Sequence, residues 1–176
     1  MWKWLIDLLF KRATSPTIEQ TEKLMSDSTR HINQAGLDLI KSSEGLRLEA
    51  YPDPGTGASP ITIGYGTTGP DIKLGMTISK EQAEEFLKRD CEKFEKQVSE
   101  MVTVPISDNA FAALVCFTYN VGAGSLKSST LLKLLNSGAH PEEVGSQFLR
   151  WNKANGKTLP GLTIRRQAEK DLFLTP

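Results

Sequence analysis

Between Ser43 and Thr67 the periodicity of the chain changes, and few folds accommodate the change. Before this stretch, Asn33 is a good N-cap and Gly45 a good C′ residue for a helix. Leu37, Ile40 and Glu44 lie at i, i+3 and i+7 of that helix. An acid therefore projects from the same face as two apolar residues. After Gly45, Leu46, Leu48 and Ala50 alternate with Arg47, Glu49 and Tyr51. Ile61, Ile63 and Tyr65 then alternate with Thr62, Gly64 and Gly66. That is strand periodicity. The connection PDPGTGASP is rich in turn formers, so the two runs predict a β-hairpin. Asp53 falls at its first bend and Thr62 on its second strand. Both are expected to face a cleft opposite the helix end that carries Glu44.

The remainder reads as helical. Ser79 and Gln82 fit a capping box. Beyond them Ala83, Leu87, Phe94, Val98 and Met101 form the apolar stripe of a long charged helix. Pro105 and Ser107 punctuate the chain. From Ala110 to Phe117 every residue is apolar, which predicts a helix buried all round but too short to cross a membrane. Tyr119 to Gly124 ends it with glycines. Leu131 to Leu135 predict another helix, stopped by Gly138. Pro141 suits the N1 position of the next, with Glu142 and Glu143 in its first turn. That helix is expected to carry Phe148 and Trp151. The last helix is expected to place Ile164, Ala168 and Leu172 on one face and Arg165 on its flank. The fold class is α+β and mostly helical. A small hairpin lobe is joined by a long helix to a larger helical lobe, in one domain over residues 32–176.

Residues 1–12 differ from everything after them. On a helix, Lys3, Asp7 and Lys11 form one polar stripe, and Trp2, Trp4, Leu5, Ile6, Leu8, Leu9 and Phe10 cover the rest. Such a segment either contacts a membrane surface peripherally or docks on its own domain or a partner. It is too short to span a bilayer. Asp7 and the lack of a small-residue cleavage site argue against a cleavable signal peptide. Residues 13–31 read as a polar linker.

Charge and composition exclude several functions. The 21 basic and 21 acidic side chains cancel, which disfavours a nucleic-acid partner bound through a basic field. Cys91 and Cys116 make neither a metal set nor a disulfide framework, and their helical contexts predict buried thiols. His31 and His140 have no Cys or Glu at ligand spacing, so no metal and no cofactor is expected. What remains is carboxylate chemistry. A glycosidase needs a protonated carboxyl for the leaving oxygen and an ionised one to activate water or attack carbon. Glu44 ends an apolar stripe, where burial raises a carboxyl pKa, and Asp53 sits in a polar turn.

As a bare pattern this is weak, since a helix-end Glu, an Asp-Pro turn and a strand Thr are all common. Arg165 also has two readings. It pairs with Glu169 at i+4 on an exposed face, or its guanidinium reaches Glu44 or a substrate carboxylate. Trp151 is read as core in preference to a sugar-stacking platform. From Gln147 to Asp171 six basic residues face two acidic ones, an excess that favours an anionic polymer.

Four ordered motifs carry more information than any of these singly: AGLDLIKSSEGLRLEAYPD, ITIGYGT, TYNVGAGSLKSSTLL and FLRWNKANGKTLPGLTIRRQAE. Through them the chain from about Ile32 to Phe173 resembles the phage-type lysozymes, or endolysin muramidases. The resemblance implies a sheet lobe and a helical lobe with glycan in the cleft between them. It implies hydrolysis of the β-1,4 bond between N-acetylmuramic acid and N-acetylglucosamine, generally with inversion. Glu44 would be the general acid, Asp53 the base or water-orienting residue, and Thr62 the accessory residue. Arg165, with Arg166 as the alternative, matches the arginine that approaches the acid. Tyr119 and Asn120, in the third motif, join Arg165 as substrate-binding or orienting residues.

The partner implied is peptidoglycan, met by a monomer. The protein would be made in the host cytoplasm and act on the wall. Residues 1–12 are shorter than the signal-anchor helices of some endolysins and are interrupted by Asp7. A holin-dependent enzyme, or a peripheral membrane helix, fits better. There are two departures from the family. Eight residues separate Asp53 from Thr62, more than in many members, and Thr67 stands where the family often has His. The second predicts a lost hydrogen bond or ion pair and no lost chemistry.

Overall fold

The computed structural model describes residues 30–52, 57 and 59–176. The expectations for residues 1–12 and most of the linker lie outside the described residues, as does Asp53. Arg30 and His31, the last two linker residues, already contact the domain. Arg30 bonds Asp108 at 2.7 Å and the Ile106 carbonyl at 2.9 Å. His31 Nδ1 lies 2.9 Å from Glu95 Oε2.

Helix α1 (Gln34–Glu44) is capped as expected. Asn33 Oδ1 accepts from the Gly36 N–H at 3.0 Å, and its amide donates to Asn109. Gly45, at φ 73°, ends the helix in a conformation that costs other residues a Cβ clash. The chain then enters β1 (Arg47–Pro52), which pairs antiparallel with β2 (Ile61–Gly64). A third strand, β3 (Thr67–Thr68), follows the Gly66 turn and makes the sheet three-stranded, in the order β1-β2-β3. Alternation in β1 does not track burial: Leu46 and Leu48 are exposed and only Ala50 is buried. The sheet packs through its far end, where Ile63 and Tyr65 are buried. On the other side of β1, Ile78 N donates to the Leu48 carbonyl and Ala50 N to the Met76 carbonyl.

Helix α2 (Lys80–Met101) starts at the predicted capping box, with both reciprocal bonds formed. It buries Ala83, Leu87, Cys91, Glu95 and Val98. Glu95 is the exception to an apolar stripe. It is buried because its Oε1 satisfies the Ile32 N–H at 2.9 Å, a backbone donor that would otherwise be orphaned. Helix α3 (Asp108–Val121), capped by Ser107, is the centre of the larger lobe. Every residue from Ala110 to Thr118 is buried, as the apolar run requires. Helices α1 and α2 pack against it. Cys91 and Cys116 are both buried.

Beyond Gly122 the chain departs from the expected order. A short helix α4 (Ala123–Ser128) precedes α5 (Thr130–Asn136). Helix α6 (Pro141–Ser146) takes Pro141 at N1 but ends before Phe148, which sits in a single 3₁₀ turn (Phe148–Arg150). Gly145 and Ser146 are weak helix formers, and side chains of Lys170 and Leu174 lie within about 3.4 Å of a Cβ built on Gly145. Trp151 follows and packs edge-on against Phe117 at 5.4 Å, in keeping with a core role. A small hairpin, β4 (Lys153–Ala154) and β5 (Lys157–Thr158), turns on Asn155 and Gly156, both at positive φ. Helix α7 (Pro160–Leu174) closes the described fold against α3. Its expected apolar face is met only in part: Ala168 is half-buried and Leu172 packs on the core, but Ile164 does not. Ile164 is 72% exposed, while Arg165, Arg166, Glu169 and Phe173 are buried.

Candidate active site

Glu44 is the last residue of α1, on the face that Leu37 and Ile40 bury, and Gly45 stops the helix there. Its side chain is about a quarter exposed (27%) and opens into a cleft of about 610 Å³. Ser43, Asn120, Leu162 and Arg165 are among the other lining residues. The cleft thus lies between the end of α1, the end of α3 and the first turns of α7.

Both readings of Arg165 hold together, but on a buried face. Its Nη1 donates to Glu44 Oε1 at 2.6 Å, its Nε to Glu169 Oε1 at 3.1 Å, and its Nη2 to the Cys116 carbonyl at 3.3 Å. Arg166 is fully buried and lies over the Phe117 ring at 5.0 Å. It donates to Asn120 Oδ1 at 2.8 Å and pairs with Glu169 Oε1 at 3.1 Å. Two arginines and two carboxylates therefore form one cluster, which meets the cleft at Glu44 and Arg165. Burial pushes the Glu169 carboxyl up to about 7 despite both guanidiniums, and burial lowers Arg166. The Cys116 thiol, beside the same group, is pushed far up by burial.

The pairing also corrects the charge count over Gln147–Asp171. Two of its six basic residues are neutralised inside the protein and add nothing to a surface field. A surface pair of Arg165 with Glu169, one of the two readings of the sequence, does not describe Glu169, which is fully buried. The signal available was the spacing itself, since Arg165, Arg166 and Glu169 stand at i, i+1 and i+4 and so share one face of a helix.

The other expected site residues are placed as follows. Asn120 lines the Glu44 cleft and orients Arg166. Tyr119 lines a second cleft of about 360 Å³ with Gly66, Thr68, Asp90 and Phe94. Its hydroxyl donates to the Tyr65 carbonyl at 2.9 Å, tying α3 to the sheet lobe. Burial raises its pKa, so the phenol stays a neutral donor. Thr62 sits mid-strand, half-buried, paired with Tyr51 on one side and Thr68 on the other. It lies on the sheet face opposite Ile63 and lines neither cleft. At Thr67 the hydroxyl donates to Asp90 Oδ2 at 2.6 Å, a hydroxyl–carboxylate bond that ties β3 to α2. No cluster of metal-ligating side chains is present among the described residues.

Known proteins bear on this geometry. A family model described as phage lysozyme matches residues 41–169. An endolysin of Bacillus phage B103 is 47% identical over 145 residues, covering 82% of this chain and 54% of its own length. The chain thus spans about half the length of that relative. Among solved structures, an endolysin from Escherichia coli O157:H7 phage FAHEc1 is 41% identical with a TM-score of 0.73, over 81% of this chain and 92% of its own. The muramidase domain of SpmX from Asticaccaulis excentricus is 36% identical with a TM-score of 0.76, over 84% of this chain and all of its own.

Proposed function

The chain belongs to the phage lysozyme family, and on that premise we propose that it hydrolyses the β-1,4 bond between N-acetylmuramic acid and N-acetylglucosamine in peptidoglycan, as an endolysin that lyses the host cell. One observation carries the reading. A helix-end carboxyl opens into a large cleft while a buried arginine holds it from behind at 2.6 Å. In this reading Glu44 donates its proton to the glycosidic oxygen as the bond breaks. Asp53 activates a water on the opposite face of the sugar, with Thr62 as accessory, and the anomeric carbon inverts. Arg165 and Asn120 orient the acid and the sugar beside it. Tyr119, through its bond to the Tyr65 carbonyl, keeps the sheet lobe against the helical lobe. No cofactor enters the scheme. The protein acts as a monomer on the wall side of the membrane, and residues 1–12 serve membrane contact or docking outside the catalytic domain, residues 32–176.

The test is digestion of purified peptidoglycan by the unaltered protein and by Glu44→Gln, with mass analysis of the glycan. Replacing the acid is expected to lower kcat by about 10²–10⁴-fold. Activity equal to the unaltered protein would sink the proposal. A 1,6-anhydro product, lighter by one water, would reassign the reaction to a lytic transglycosylase.

A further inference from the structure

Resting on that reading of Glu44, we propose that Glu169 is a positioning residue for the acid: from behind Arg165, its carboxylate fixes the guanidinium that holds Glu44 and shares the charge of two buried arginines that Glu44 would otherwise face alone.

The geometry is a three-point hold. Each nitrogen of the Arg165 guanidinium has its own partner: Glu169 at Nε, Glu44 at Nη1 and the Cys116 carbonyl at Nη2. A planar fork held at all three nitrogens keeps one orientation. Only one of these partners is both charged and inside the protein. Glu44 faces the cleft and must change its protonation during turnover, and the carbonyl is neutral. Glu169, fully buried, is the fixed anchor.

Charge gives the second half of the argument. The groups that face Glu169 are Arg165 and Arg166 from α7, Glu44 from α1 and the Cys116 thiol from α3. The thiol is neutral, so two cations face two carboxylates. Among the described residues Arg166 Nε and Nη1 have no hydrogen-bond partner, and the carboxylate paired with Arg166 is Glu169. Without the Glu169 charge, both cations would act on Glu44 and favour its ionised form, which cannot donate a proton. Because burial sets Glu169 near 7, its charge is present above neutrality and fades below it. Its influence on turnover therefore grows with pH. A purely structural role predicts a loss that does not vary across this range.

Glu169→Gln keeps the shape and an acceptor for Arg165 Nε while removing the charge. Kinetics on purified peptidoglycan are measured from about pH 5 to 9, below the unfolding temperature of both proteins. The kcat of the variant relative to the unaltered protein is expected to fall by roughly tenfold between about pH 6 and 8, with KM within about twofold. A ratio that stays flat with pH, in a folded variant, overturns the inference. Should the variant fail to fold, the Arg165 Nε–H resonance of the unaltered protein decides, assigned by its absence in Arg165→Lys. It is expected to shift through a titration near pH 7, and a resonance that does not move also overturns the inference. The Glu44→Gln control separates the two claims. If it retains activity the functional reading falls, whereas a dead Glu44→Gln beside a flat Glu169→Gln ratio removes only the role of Glu169.

Discussion

Gly36 sits mid-helix, where alanine normally stabilises by about 1 kcal/mol. Here the sign reverses. A Cβ built on Gly36 would lie 2.6 Å from Ile32 Cγ1, 2.8 Å from Ile32 Cδ1 and 2.9 Å from Ala112 Cβ, where ordinary contact begins at 3.4 Å. Ile32 would have to retreat by about 0.8 Å (3.4 − 2.6) and Ala112 by about 0.5 Å (3.4 − 2.9). The isoleucine tip can turn, but Ala112 has no rotamer and belongs to a helix buried on every side. Helix α1 would therefore have to lift from α3. Overpacking of this kind costs about 1–3 kcal/mol, which exceeds the helix gain. Lifting α1 also strains the 3.2 Å contact of Cys116 Sγ with the Gly36 carbonyl. Gly36→Ala is expected to lose about 1–2 kcal/mol, a fall in Tm of roughly 2–8 °C with an unchanged m-value. The assay is thermal and urea unfolding beside a control, Gly124→Ala. That exposed helical glycine has nothing within 4 Å, so the same change is expected to stabilise slightly. A Gly36→Ala protein with Tm equal to or above the unaltered one would refute the claim that close approach of α1 and α3 sets this position.

Three further outcomes follow from other contacts. Thr67→Val removes the 2.6 Å hydroxyl–carboxylate bond between β3 and α2 and is expected to cost about 1–2 kcal/mol in urea unfolding; no loss would show that this bond does not replace the family histidine. The Glu169 carboxyl is raised by burial from 4.5 to about 7, so the folded protein holds this proton more tightly than the unfolded chain. Stability from this group is full below pH 4.5 and lost as pH rises through about 7, by on the order of 3 kcal/mol. The Tm of the unaltered protein relative to Glu169→Gln should therefore fall over that window, and a constant difference would contradict it. Burial pushes the Cys91 thiol up to about 12 and also raises the Cys116 thiol well above its ordinary value. Neither is expected to react with a thiol reagent until the protein unfolds, and rapid labelling of the native protein would refute that placement.

Much of the frame was legible because it follows local rules. Asn33, Gly45, Ser79, Gln82 and Pro141 cap or start helices where their residue types predict, and Ser107, read only as a break in the chain, proves to be an N-cap. The apolar run at Ala110–Phe117 could only be interior. Failures came where tertiary contacts outweigh propensity. Leu46 and Leu48 alternate correctly yet stay exposed, since only the far end of the sheet meets α2. The β4–β5 hairpin has too few residues to show a period, although Asn155-Gly156 is a strong turn signal in its own right. Of the site, Glu44 and Arg165 were legible and are in contact. Tyr119 and Asn120 were read together but line different clefts, which adjacent positions on one helix make natural. A side chain roughly 100° round the helix from its neighbour faces a different wall.

The burial of charge on α7 has a physical logic that an apolar-face rule cannot contain. That rule assigns Ile164, Ala168 and Leu172 inward because burying a charge without a partner is costly. Arg165 and Arg166 escape the cost by arriving with Glu169 one turn away on the same helix. The helix thus carries most of its own neutralisation, and one guanidinium bond is left over for Glu44, 121 residues earlier in the chain. Replacing the cluster by apolar residues of similar volume would be neutral or even stabilising for the fold. Ile164 on the outside, at 72% exposure, then reads as the consequence. The most buried positions of the helix were given to charge, and that charge reaches the cleft through Arg165 and the carboxyl it holds at the end of α1. In this fold the departure from the hydrophobic pattern marks the site more sharply than the pattern itself does.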